Sequence, residues 1–254
     1  MRKTLTDTHL IFIWNLKLAL RNPVWVIIGL IQPLLYLLLF APLLENLTGT
    51  NGFPEGSALN IFTPGLLIMM GIFSGAFVGI GLIEWLNNGV LERLRVTPIS
   101  RTALLLGILL RDALVFQVQC AILIGAGLLM DLAPDPVGLL GLFALLGLVS
   151  VTVSTISYGL ALAFRDQDAL VQFVQFLAIP LLLLSGILLP MALAPQLLRD
   201  ISSVNPFLHA VEASRALING DFEARSVWLA FGIFALLALW AFNWVTGSLK
   251  KAAA

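Results

Sequence analysis

Six long, nearly uncharged apolar stretches divide this chain, at about residues 24–44, 61–83, 113–130, 137–164, 170–189 and 226–247. A helix needs roughly 20 apolar residues to cross a hydrocarbon core about 30 Å thick. Lipid offers no partner to a free peptide group, so each stretch must satisfy its own backbone as a helix. Only 11% of residues are charged and 59% are hydrophobic, with a mean hydropathy of +1.00. Soluble domains carry about a quarter charged residues. The expected fold is therefore an all-α polytopic membrane protein with six transmembrane helices and a single membrane domain over 1–254.

The connections between the stretches differ in kind. Residues 4–22 read as an amphipathic helix with Leu5, Phe12, Ile13, Leu16, Ala19 and Leu20 toward one side, too charged to span and suited to the headgroup plane. Pro23 starts the first span and Pro33 interrupts it. The 45–60 loop is polar and turn-rich. In the second span Gly71, Gly75 and Gly79 recur every four residues and form a small-residue stripe, which lets helix backbones approach, or serves a dimer contact or a passage wall. Arg111 and Asp112 interrupt the third apolar run, and the cost of a charge in lipid places them at the inner interface. Ser150, Ser154 and Ser157 share a face of the fourth span and can bond a neighbouring helix. Gln172, Gln175 and Pro180 mark the fifth. Residues 190–225 form the longest non-spanning piece, with two short helices at or dipping into an interface. Trp228, Trp240 and Trp244 sit near the ends of the sixth span, as in an aromatic belt.

Basic residues are distributed unevenly. Of 14 Lys and Arg, Arg2, Lys3, Lys17, Arg21, Arg93, Arg95, Arg101, Arg111, Arg165, Lys250 and Lys251 fall on one side of the expected topology, and Arg199, Arg215 and Arg225 on the other. The positive-inside rule puts both termini and the 84–101 island in the cytoplasm. No signal peptide with a cleavage site is expected; the first span serves as its own insertion signal.

The residues for most catalytic chemistry are missing. His9 and His209 fall on opposite sides of this topology and cannot share a metal, and Cys120 alone makes neither a disulfide nor a cysteine metal site. There is no H-E-x-x-H, no nucleophile elbow and no P-loop. No Asp or Glu is expected near a bilayer midplane, which argues against coupling to a proton or sodium gradient. If the chain transports, its energy comes from a partner, and a partner needs a docking surface. The segment from Gly89 to Pro98, VLERLRVT at its centre, can form about two helical turns with Val90, Leu91 and Leu94 packed down and Glu92, Arg93 and Arg95 facing water. Two readings stand: a docking helix, or a solvated turn whose arginines fix topology.

Four features resemble the ABC-2 type permeases, the membrane subunits of one class of ATP-binding-cassette exporters, with most similarity to the daunorubicin-resistance permease branch. They are LRNPVWVIIGLIQPLLYLLLF (20–40), GVLERLRVTPISR (89–101), LLLLSGILLPMALAPQLLRDISSVNPFLHAVEASR (181–215) and the six-span layout itself. The resemblance implies two permease copies around a central path, most simply a homodimer, and two separate ATPase subunits beneath, which would hold the ATP and Mg; this chain would hold no cofactor and hydrolyse nothing. It implies a coupling helix at Val90, Leu91, Glu92, Arg93, Leu94, Arg95, Thr97 and Pro98, and a connecting helix at 4–22. Phe73 and Phe77 of span two, with Phe173 and Phe176 of span five, would line the path. It implies export across a bacterial inner membrane of a lipophilic or amphipathic solute, drug-like or lipid. A glycolipid or polysaccharide cargo, and a non-transporting membrane anchor, are the alternatives. A nucleic-acid partner is not expected.

Overall fold

The computed structural model describes residues 2–22, 24–45, 58–90, 100–187, 191 and 194–251, and every long element among them is an α-helix. Helix α1 spans Arg2–Arg21, α2 Val24–Glu45, α3 Ala58–Phe77 and α4 Gly79–Asn87. Then come α5 (Arg101–Leu128), α6 (Pro136–Phe164) and α7 (Gln167–Leu183). The short α8 (Gln196–Ser202) and α9 (Pro206–Ile218) precede the closing α10, Arg225–Lys251.

The helix starts follow local chemistry. Ser100, Asp135, Asp166 and Asn205 each accept a hydrogen bond from a first-turn N–H, of Ala103, Gly138, Ala169 and Phe207 respectively. Pro136 and Pro206 occupy first-turn positions, where the missing N–H costs nothing. Arg165, with φ 54°, ends α6 in the left-handed conformation and turns the chain directly into α7.

Helix α6 is the axis of the bundle. It packs on α3, α4, α5, α7, α9 and α10, and it buries Leu142, Leu145, Leu146 and Val149 completely. One apolar cluster joins it to Leu37 of α2, Phe62 and Leu66 of α3, Phe116 of α5, Val211 of α9 and Phe234 of α10. A second cluster gathers Ile11, Ile83, Leu105, Tyr158, Leu170 and Val245 toward the other end of the bundle.

Four helical stretches are long and apolar enough to cross a membrane: Leu59–Asn87, Arg101–Leu128, Pro136–Phe164 and Arg225–Leu249. α1 and α2, whose axes meet at 68°, are long and apolar enough only when counted as a pair, which would give five. The sequence leads to six. The difference lies at α7, which at 17 residues is roughly 25 Å long, short of a ~30 Å core. Its last turn gives way at Leu184, and Gly186 with φ 69° redirects the chain.

Three details depart from simple periodicity. First, the face that α1 presents to α5 carries Thr8, Ile11 and Asn15, all buried, while Leu5 and Leu20 are exposed. Gly107 of α5 permits this approach, since a Cβ there would lie 2.7 Å from Ile11 Cγ2. Thr8 and Asn15 fold back onto their own helix, donating to the carbonyls of Thr4 and Ile11 at 2.8 and 2.9 Å. Second, the helical pattern of the second apolar run is interrupted by a single turn residue, Val78, itself in helical conformation (φ −63°, ψ −25°), between α3 and α4. Ser157 of α6 splices the break, its Oγ accepting from the Gly79 N–H at 3.0 Å and donating to the Ala76 carbonyl at 2.5 Å. Third, α9, expected at or dipping into an interface, packs one face into the bundle. Leu208, Ala210, Val211, Ala213, Leu217 and Ile218 are buried against α3, α6 and α10.

Candidate ligand cavity

A cavity of about 890 Å3 opens between α1, α2, α3, α4, α5, α6 and α7. That lies within the ~300–1,000 Å3 typical of sites that enclose a drug-sized ligand. Its floor is buried: Met69, Met70, Phe116, Gln119, Ser150, Ser154 and Tyr158. Its rim is exposed and includes Leu18, Ile28, Glu84 and Gln175. Asn22, at the α1–α2 bend, and Val78, between α3 and α4, both line it.

The polar groups of the wall form two sets. One is an ion pair joined by a phenol: Arg111 Nη1 lies 3.0 Å from Asp112 Oδ1, and Tyr158 Oη donates to Asp112 Oδ2. Asp112 is almost fully buried, so the arginine and the phenol provide the compensation that a buried carboxylate requires. The other set is buried and only partly paired. Gln119 Nε2 donates to the Val26 carbonyl of α2 at 3.0 Å, and Asn15 Nδ2 to Ile11. Both amide nitrogens are therefore committed to carbonyls, and the oxygens Asn15 Oδ1 and Gln119 Oε1 are left without a partner among the described residues. Arg111 Nε and Ser154 Oγ are in the same condition. Each such group costs about 1–3 kcal/mol while it stays unpaired.

The sequence-derived path residues separate here. Phe73 and Phe77 line the cavity, their rings stacked with centroids 6.4 Å apart. Phe173 does not; it meets Phe164 edge-on at 5.3 Å. Phe176 points outward and is 75% exposed. The glycine stripe faces neighbouring helices: a Cβ on Gly71 would sit 3.0 Å from Phe116, one on Gly75 2.9 Å from Val153, and one on Gly79 2.6 Å from the Ser157 carbonyl. Val90 is half-buried just past α4, whereas Leu91, Glu92, Arg93, Leu94, Arg95, Thr97 and Pro98 lie outside the described residues. His209 Nε2 lies 3.0 Å from the Ser203 carbonyl, and His9 is exposed on α1.

Two functional-looking groups had no clear sequence signal. Tyr158 reaches Asp112 across 46 residues, a pairing that only the fold reveals. Arg215 of α9 is half-buried and donates from Nε to the Ile61 carbonyl at 2.9 Å and from Nη2 to the Gly186 carbonyl at 2.8 Å. Burial lowers its guanidinium to about 10, with the Glu212 carboxylate pulling the other way. It therefore remains charged at neutral pH and ties the start of α3 to the end of α7.

The family model described as ABC-2 type transporter matches residues 6–219. DrrB1 of Streptomyces coeruleorubidus, named a daunorubicin resistance ABC transporter permease protein, is 28% identical over 244 residues, covering 94% of this chain and 85% of the relative. The proteins named transport permease ycf38 from Pyropia yezoensis and Porphyra purpurea are 30% and 31% identical, each match covering 85% of this chain and 76% of the relative.

Proposed function

This chain belongs to the ABC-2 type transporter family, and from that premise we propose that it is the permease subunit of an ATP-binding-cassette exporter for a lipophilic or amphipathic solute. The observation that carries the solute class is the cavity, whose wall sets Met69, Met70, Phe73 and Phe77 beside Asn15, Arg111 and Gln119. A purely apolar pocket would hold a hydrocarbon; this mixed one suits a molecule with a polar head and an apolar body. The relative DrrB1, by its name a drug-resistance permease, supports the same class.

In this reading the chain crosses a bacterial inner membrane six times, with both termini and the 84–101 island in the cytoplasm, as its Lys and Arg distribution favours. The exposed apolar residues Leu5, Leu10 and Leu20 of α1 lie in the headgroup plane. Two copies form the path, to which the outward-facing Phe176 is available, and residues 90–98 dock on two ATPase subunits that carry ATP and Mg. This chain positions and passes the solute and performs no chemistry on it.

The test is transport in proteoliposomes containing the chain with and without its ATPase. ATP-dependent solute movement is expected only when both are present. Movement that persists without the ATPase overturns the assignment.

A further inference from the structure

Arg101 opens α5, directly after the N-cap Ser100. A guanidinium there gains nothing from its own helix, because the amino-terminal end of a helix carries partial positive charge. It serves another helix instead: Arg101 Nη1 donates to the Leu249 carbonyl at 3.1 Å, across 148 residues. Leu249 lies in the last turn of α10, which ends at Lys251. The last four carbonyls of a helix have no intrahelical N–H to accept from, and the partial negative charge at that end favours a cation. Among the described residues no carboxylate pairs with Arg101. One side chain therefore answers two needs: a cation at the unfavourable end of α5 and a bare carbonyl at the end of α10.

The two helices have little else between them. α10 packs chiefly on α6 and α9 and only slightly on α5. Near the bond, Val245 and Leu249 of α10 are buried in the same apolar cluster as Leu104 and Leu105 of α5 and Leu82 and Ile83 of α4. Further along α10, Phe234 meets Phe207 of α9 edge-on, with centroids 5.6 Å apart. Residues 90–98 run from just past α4 to just before α5, so the flanks of that segment are held by different helices. Ser157 of α6 holds α4 at Gly79, and the Leu249 carbonyl of α10 holds α5 at Arg101. Coupling between distant sites is carried by such bonds and packed helices. We propose that Arg101 is a positioning residue for ATP-driven transport, which passes a displacement of the docking segment into α10 and so toward α9. The proposal rests on the reading of 90–98 as the ATPase-docking segment and names the helix that follows it.

The test uses the full chain with its ATPase in lipid nanodiscs, without nucleotide and with the non-hydrolysable analogue AMPPNP and Mg. Hydrogen exchange over 91–99 reads docking and should slow roughly threefold or more when the ATPase is added. Movement of α10 is read by electron paramagnetic resonance between nitroxides at Gly125→Cys and Gly247→Cys in the Cys120→Ser background, with labelled chain diluted by unlabelled chain. A Cβ at either glycine meets nothing within 4 Å, so both accept a label. AMPPNP should shift this distance by about 2 Å, the scale of helix shifts in switching proteins. Arg101→Met should cancel the shift and leave the slowing over 91–99 in place, and Arg101→Lys, which keeps a charged donor, should restore at least half of it. If Arg101→Met does not fold, Arg101→Gln takes its place with the same expectation. A role confined to holding the last turn of α10 would broaden the nucleotide-free distance in the variants and keep the shift. That result, or no shift in the wild type with docking intact, overturns the link alone. No slowing over 91–99 in the wild type removes the docking reading itself, and the proposal with it.

Discussion

Arg215 shows how one side chain can hold a membrane bundle together at an end. Its two bonds reach α3 and the chain just past α7. Arg215→Met strands the Ile61 and Gly186 carbonyls and should cost about 2–4 kcal/mol, since bonds from a charged donor are each worth ~1.5–3 kcal/mol. Thermal unfolding in detergent reads the loss, and Arg215→Lys, which can serve one carbonyl at a time, should recover only part of it. Gly138 offers a second test at this scale. A Cβ there would overlap the Leu217 carbonyl oxygen, whereas one on Gly125 meets nothing within 4 Å. Gly138→Ala should destabilise by about 1–3 kcal/mol and Gly125→Ala should not. Arg111 and Asp112 were visible in the sequence as an interruption of an apolar run, whereas Gln119, further along the same run, carried no signal. What they bind was not visible, because Tyr158 and Val26 come to them from distant parts of the chain.

At the scale of the helix, the long apolar runs were legible because a segment in lipid has few alternatives to helix. The ends were legible where a capping side chain stands at the junction, as at Asp135 and Asp166. The break at Val78 was not, since the residues around it read as continuous apolar helix and the cause lies in Ser157, on another element. Nor were the packing partners of α9, which the sequence places only at or dipping into an interface; its Arg215 is accommodated by carbonyls at the ends of two other helices. Removing the splice with Ser157→Ala should cost about 1–3 kcal/mol and speed hydrogen exchange at the Gly79 amide, while exchange in the middle of α6 stays slow. Beyond α4, the docking role proposed for residues 90–98 predicts that Glu92→Ala or Arg93→Ala leaves membrane insertion intact and abolishes stimulation of the ATPase by solute. Stimulation at the wild-type level in both variants would remove the segment from that role.

At the scale of the whole molecule, the distribution of charge and the distribution of packing describe different things. Eleven of 14 basic residues fall on one side of the proposed topology, which orients the chain but does not say which helix is central. Packing does: α6 packs on six other helices, and its Ser157 bonds across to α3 and α4. The six-span arrangement predicts that single cysteines placed at residue 50 and at residue 222, in the cysteine-free Cys120→Ser background, react with an impermeant thiol reagent from outside, and that one at residue 88 reacts only after the membrane is opened. Labelling of position 88 in sealed cells would require a different topology.

The splice at Val78 also has a mechanical meaning. A helix that breaks usually gains a free joint, able to bend without consulting its neighbours. This one is pinned from outside, because the same serine oxygen holds the Ala76 carbonyl in the last turn of one segment and the first N–H of the next. Torque applied to α4 therefore cannot be absorbed at the joint; it passes into α6, and with it into every helix that α6 supports. To bend α3 against α4, the molecule must first withdraw the pin, and a load of two hydrogen bonds sets the threshold at which a push on one end becomes a movement of the whole.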